Sequence, residues 1–250
     1  MISLLAPIFQ GEWAAYGETL ACSPRVPADA VRVADLIADA ALLAGLLRQH
    51  ARHLRVHGAD LRPVASAWSL HYLNALLPPV AAAASLLQHG FPMAPARVWL
   101  TFAEGAVPQC FHITDEGQPL HGAGTAERYA ALLQEHLAPL FLQLTRLTRI
   151  APKILWGNAA RYLEPVLEQG LAASGQAPSV AQDLDHLLHR PHWGRDDNPM
   201  FTPPRRAVRL EAGVPAPIAL HRQCCLYYLL PEEGYCAACP LAPAFRKTPS

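Results

Sequence analysis

Apolar residues recur at helical spacing along the first three quarters of the chain. Between residues 28 and 54, Val31, Val33, Leu36, Ile37, Ala40, Leu43, Leu46 and Leu47 fall three and four apart, which predicts one amphipathic helix capped by Asp29. Residues 64–77 and 79–89 predict two further helices, parted by Pro78-Pro79. The period then shortens. Val98-Trp99-Leu100-Thr101-Phe102 and the run from Val107 to Ile113 are rich in β-branched and aromatic residues, and they flank Glu104-Gly105-Ala106 as the arms of a β-hairpin. Residues 125–149 return to helix, with Thr125 as cap, Glu127 in the first turn and a kink at Pro139. Residues 153–169 and 179–189 predict two more helices, joined by Gly170 and the Gly175-to-Pro178 loop. Beyond Arg190 the stretch 191–217 holds no sustained period and predicts irregular backbone.

These elements predict an α+β protein, mainly α-helical: a helical domain over residues 1–205 with a small β-hairpin element, then an irregular C-terminal segment over 206–250. The length of 250 residues suits one large domain, or one domain with a small appendage. Twenty basic and twenty acidic residues cancel, and that balance argues against a nucleic-acid partner, which needs a basic excess. The uncharged stretch between Arg62 and Arg97 raises the question of a membrane span. Its double proline and its polar His71, Asn74, Gln88 and His89 make it buried core instead. The N-terminus lacks a basic leader region and meets Glu12 early, so no secretory signal is expected. A cytoplasmic location follows, where thiols stay reduced and clustered cysteines mean metal or catalysis more often than disulfides.

Four of the six cysteines crowd the tail in the pattern C-C-x10-C-x2-C: Cys224, Cys225, Cys236 and Cys239. A C-x2-C turn lets both sulfurs face one metal, and Pro231-Glu232-Glu233-Gly234 is turn material that can bring the two pairs together after an extended run over Leu226 to Leu230. Adjacent Cys224 and Cys225 would point to opposite faces of a straight strand, so joint ligation demands a bend there. Spacing alone leaves open a tetrahedral zinc ion, an iron–sulfur cluster, or vicinal or loop disulfides. In a two-iron cluster, Cys236 and Cys239 are expected on one iron and Cys224 and Cys225 on the other. A segment this irregular needs such a staple.

The quartet, with Arg222 before it, Tyr227-Tyr228 inside it and Pro240 after it, resembles the C-terminal signature of the ferric-siderophore reductases of the FhuF type. Ile154-Leu155-Trp156-Gly157-Asn158-Ala159-Ala160 resembles a Trp–small–Asn segment of that family, and Asn198-Pro199 followed by Arg205-Arg206 resembles its pre-cluster stretch. The resemblance implies a [2Fe–2S] cluster on Cys224, Cys225, Cys236 and Cys239. It also implies one-electron reduction of iron held by hydroxamate-type siderophores, with release of Fe(II) in the cytoplasm. The substrate would be a ferric siderophore, and peripheral contact with the inner membrane or a siderophore transporter is consistent with that role. No G-x-G-x-x-G opens a helix, so electrons are expected from outside: a ferredoxin, a flavodoxin or a small reductant. A non-redox, zinc-stapled binding protein and a generic [2Fe–2S] electron carrier are the alternatives.

Other residues admit a functional and a structural reading. Trp156 and Asn158 either line a substrate pocket or pack and cap a helix; Arg205 and Arg206 either meet an anionic chelate or lie on a solvated loop. Arg222 and the backbone N–H groups near Gly234 are candidates for hydrogen bonding to the cluster sulfurs. Cys22 and Cys110, each alone, read as inert packed thiols. Asp183, Asp185, His186, His189 and His192 resemble a metal array, but Pro191 separates the last histidine from the helix carrying the others.

Overall fold

The computed structural model describes residues 1–211 and 214–245. A short α1 (Ala14–Gly17) leads into β1 (Leu20–Cys22) and β2 (Val31–Arg32), then α2 (Val33–Ala38) and α3 (Ala40–His53). The single helix expected over 28–54 is therefore a strand and two helices. Asp39 sits in extended backbone and its Oδ1 accepts from the amides of Ala41 at 2.8 Å and Leu42 at 3.0 Å, so it, not Asp29, starts the long helix. The β-branched Val31 is drawn into a sheet instead.

Helix α4 (Arg62–Leu86) runs straight through the double proline, where two helices were expected. Pro79 has no N–H to give the Ala75 carbonyl one turn earlier, and the Thr19 hydroxyl donates to that carbonyl at 2.6 Å. Within α4 only Arg62, His71, Asn74 and Leu86 escape full burial, so it is the axis of the core. Among the described residues no helix is long and apolar enough to cross a membrane.

After α4 come β3 (His89–Gly90), β4 (Trp99–Ala103), β5 (Val107–Ile113) and β6 (Gln118–Pro119). β4 and β5 form the expected hairpin; β1 adds parallel to β5 and β2 antiparallel to β4, giving the order β1-β5-β4-β2. β3 pairs with β6. At the hairpin tip Gly105 has φ 72°, and a Cβ there would strike the His53 ring, so the tip needs glycine.

Next, α5 (Thr125–Ala130) passes through a π-helical stretch (Ala131–Leu137) into α6 (Ala138–Thr148). The wider turn precedes Pro139, the residue expected to kink this helix. α7 (Pro152–Ala173) outruns its expected end at Gly170, whose missing side chain admits Leu86 of α4. α8 (Pro178–Leu184) continues into a π-helical turn over Asp185–His189. Thr125 is not a cap. Its hydroxyl donates to Asp183 Oδ1 at 2.6 Å, and Arg128 pairs with the same carboxylate, while Ser85 donates to Oδ2 at 2.7 Å and meets the Tyr129 hydroxyl at 2.7 Å. This buried network fixes α8 against α4 and α5.

Two small ribbons follow: β7 (His192–Trp193) with β8 (Asp196–Asp197), and β9 (Arg206–Glu211) with β10 (Val214–Ala219). The second overturns part of the irregular backbone expected over 191–217. Pro215 and Pro217 lie two apart in β10, so their missing N–H groups share the edge that a two-stranded ribbon leaves unpaired. From residue 220 to 245 the chain is irregular apart from single 3₁₀ turns, and it keeps a small core of its own around Cys224, Cys239 and Ala242.

Candidate metal centre

The four tail cysteines come together as free thiols. Leu226 adopts left-handed backbone, φ 60°, which supplies the bend that adjacent cysteines require. A 3₁₀ turn over Tyr227–Leu229 then replaces the extended run expected there. The Cys236 carbonyl accepts from the Cys239 amide at 3.0 Å to close the C-x2-C turn, and the His221 amide donates to Ala238 at 2.9 Å, tying the two halves of the loop. The sulfurs meet as two pairs. Cys239 Sγ lies 3.7 Å from Cys224 Sγ, and Cys236 hydrogen-bonds Cys225. Each pair thus joins one cysteine from each half of the loop, not the neighbours in sequence that were expected together.

Cys225 is the thiol most ready to ionise. The hydrogen bond from Cys236, the nearby Arg161 guanidinium and the Tyr227 amide pull its pKa down to about 5, against the effect of burial. Burial pushes Cys224 up to about 11, although the Leu226 amide points at its sulfur from 3.4 Å. The backbone donors to sulfur therefore lie at Leu226 and Tyr227, whereas the sequence suggested the neighbourhood of Gly234.

One face of α7 forms the seat. Gly157, Arg161 and Glu164 lie four and three residues apart, on one side of the helix. A Cβ on Gly157 would stand 2.6 Å from Gln223 Cβ, so the absent side chain lets the residue before Cys224 press against the helix. Arg222 is a fastener: Nη2 donates to Glu164 Oε1 at 2.6 Å, and Nη1 to the Leu188 and Thr202 carbonyls at 3.1 Å each. The guanidinium beside the sulfurs belongs to Arg161 instead. Its Nε and Nη2 are buried and, among the described residues, without a hydrogen-bond partner, an arrangement that suits an added anionic group. Gly157 stood in the sequence only as the small residue of the Trp–small–Asn segment and Arg161 not at all; the signal of both is the helical spacing toward Glu164.

The remaining candidates disperse. Trp156 packs edge-on against Phe141 at 5.0 Å, and Asn158 is buried, donating to the Ser66 and Ser69 hydroxyls of α4 at 3.0 Å each. Both side chains hold α7 in the core. Arg205 and Arg206 are exposed where β9 begins. Cys22 and Cys110 are partly buried, and burial pushes both thiols up. Of the aspartate–histidine array, Asp183 pairs with Arg128, Asp185 with Arg190, and His192 with Asp197, while His186 stacks on Trp193.

The residues present fit a two-iron group better than one ion. A tetrahedral ion with bonds of about 2.3 Å needs all its sulfurs within about 3.8 Å of one another. The sulfurs make their contacts pairwise, Cys224 with Cys239 and Cys225 with Cys236, as the two ends of a two-iron cluster would take them. A mainly helical body carrying two sulfur pairs against a buried guanidinium is a donor set suited to an iron–sulfur protein.

The comparisons agree. Residues 66–214 match the family of ferric iron reductase FhuF-like transporters, and residues 222–241 match the FhuF 2Fe-2S C-terminal domain. The chain belongs to the FhuF family, and a [2Fe–2S] cluster is its cofactor. The ferric siderophore reductase of Escherichia coli (strain K12) is 24% identical over 185 residues, an alignment covering 72% of this chain and 66% of that protein. The fold is also similar to that of the aerobactin synthetase IucA from a hypervirulent pathotype of Klebsiella pneumoniae, with a TM-score of 0.52, 14% identity and coverage of 69% of this chain and 38% of that one. Its ATP-bound form gives a TM-score of 0.55 at 14% identity, covering 70% and 37%. The chain spans just under two thirds of the reductase's length and little more than a third of the synthetase's.

A consequence for Arg161 can be measured. Reduction adds a negative charge beside this guanidinium, so Arg161→Gln should lower the midpoint potential by about 60 mV or more, a tenfold change for one electron. Redox titration of the purified protein followed by visible absorbance reads this. A potential that stays put would mean that solvent, not Arg161, screens the centre.

Proposed function

We propose that this protein reduces ferric siderophores of the hydroxamate type by one electron in the cytoplasm, with Cys224, Cys225, Cys236 and Cys239 holding the cluster. Cys224 and Cys239 would bind one iron and Cys225 and Cys236 the other, because a shared iron places two sulfurs about 3.8 Å apart and the first pair already stands at 3.7 Å. The carrying observation is this pairing of four free thiols on the Gly157–Arg161–Glu164 face of α7. When bound, the cluster supplies a single electron. Hydroxamate oxygens hold Fe(III) much more firmly than Fe(II), so one electron added to the chelated iron suffices to loosen it, and no bond to the protein need form.

The chain's own residues do three things in this reading. In the loop over Cys224 to Cys239 three of the cysteines are buried and Cys236 is partly open, which suits electron entry on its side. Arg161 places a fixed positive charge beside Cys225, the thiol of its pair whose pKa is pulled down. Leu229, Tyr235 and Leu241 are exposed within the cluster segment and offer an apolar rim to an external donor, a ferredoxin, a flavodoxin or a small reductant. Residues 1–205 serve as the substrate-bearing body and 206–250 as the cluster segment, and the same rim suits peripheral contact at the inner membrane or a transporter.

The test is an anaerobic single turnover. Dithionite-reduced protein, freed of reductant, is mixed with a ferric tris-hydroxamate and a chromogenic ferrous trap. Close to one Fe(II) per cluster is expected, and none from Cys236→Ser, whose visible spectrum should also collapse. A colourless protein with one zinc per chain would overturn the reading. So would a brown protein whose reduced form leaves the ferric chelate intact.

A further inference from the structure

Beside the cluster seat, between the N-terminal segment and the far part of α7, lies a groove of about 410 Å³. That is within the range of small-molecule sites, roughly 300–1,000 Å³. Phe9, Trp13 and Tyr16 form one wall, Tyr162 and Val166 of α7 the other, and Pro78 of α4 lies at the floor. Among the described residues no Asp, Glu, Lys, Arg or His lines it. Trp13 stacks on Tyr16 with ring centroids 5.7 Å apart yet stays 38% exposed, leaving a large aromatic surface open at the mouth.

We propose that this groove docks the organic body of an uncharged ferric tris-hydroxamate beside the cluster; the inference rests on the reductase reading above. Three features carry it. First is position: Arg161, which faces the sulfurs, and Tyr162, which lines the groove, are consecutive on α7 and so only about 100° apart on a helix about 10–12 Å across. The Cys225 sulfur and the Tyr16 and Tyr227 phenols all lie near enough to act electrostatically on Tyr162, so this one residue of α7 lines the groove and has the cluster segment within reach. Second is charge. Fe(III) with three singly charged hydroxamates is neutral, whereas three doubly charged catecholates leave a triple negative charge that an apolar groove without cations cannot take up. Third is surface: Phe9, Trp13 and Tyr16 offer aromatic faces to an organic body, and Trp13 stays open to solvent at the mouth.

The experiment uses holoprotein in the oxidised state and the Ga(III) complex of a linear tris-hydroxamate, which binds like the ferric form but accepts no electron. Titration calorimetry reads affinity for wild type, Trp13→Ala and Val166→Glu, with the visible spectrum and midpoint potential as checks that the centre is intact. At least a tenfold weaker Kd is expected in each variant, with both checks unchanged, and a Ga(III) tris-catecholate should bind at least tenfold more weakly than the hydroxamate to wild type. The proposal is overturned if wild type ignores the gallium hydroxamate, if both variants bind it as wild type does, or if the catecholate binds equally well. Self-association of wild type that Val166→Glu abolishes would overturn it too, assigning the groove to a second copy. The two readings fail separately. Variants that reduce ferric hydroxamate with unchanged KM and kcat sink the groove and keep the reductase; a groove that binds gallium chelate in a protein that never reduces the ferric one does the reverse.

Discussion

Gly157→Leu should yield a folded helical body that carries little or no iron. Helix propensity alone predicts the opposite sign, since glycine inside a helix costs about 0.5–1 kcal/mol relative to alanine. The deciding contact is steric. Even a Cβ at this position would stand 2.6 Å from Gln223 Cβ and 2.7 Å from its Cγ, and a leucine pushes further into the residue that precedes Cys224. Gln223 cannot simply swing aside, because its neighbour Arg222 is clamped to Glu164, Leu188 and Thr202. The cluster segment must therefore lift off α7. Expected are unchanged far-ultraviolet circular dichroism, loss of visible absorbance and substoichiometric iron, with Gly157→Ala showing a milder loss. Full iron occupancy in the leucine variant would show that the loop keeps its centre without the seat.

The largest effect on stability is expected from Asp183→Ala. Asp183 accepts from Thr125, Arg128 and Ser85 in a site closed to solvent. Removing its carboxylate leaves the Arg128 side chain, 3% exposed, with a buried and unopposed charge. Breaking a buried pair in this way costs about 3–5 kcal/mol. Urea unfolding followed by far-ultraviolet circular dichroism should show that loss, while Thr125→Val, which removes one donor and keeps the ion pair, should cost only about 1–2 kcal/mol. Equal effects from the two variants would mean that the hydroxyl, not the charge, holds α8 in place.

The cysteine pattern revealed the centre because ligand spacing is a local property of the chain. How the sulfurs pair is not local. It depends on the left-handed turn at Leu226 and on the return of the loop, so Cys224 meets Cys239 and not its neighbour. The hairpin over β4 and β5 was legible from its β-branched and aromatic arms. Pro78-Pro79 misled because the compensating donor, Thr19, comes from a distant part of the chain. Asp29 and Asp39 both precede apolar runs, and only the pairing of Val31 with the sheet shows which one caps. Pro215 and Pro217 hid a ribbon, since proline counts against a strand until one knows which edge it faces. Arg161 escaped notice because a lone arginine in an amphipathic helix has no signature; its meaning comes from the loop that folds back over it.

The small core around Cys224, Cys239 and Ala242 stands apart from the large one, which includes none of the four tail cysteines. Iron is then not needed to build the scaffold, only to finish its final lap.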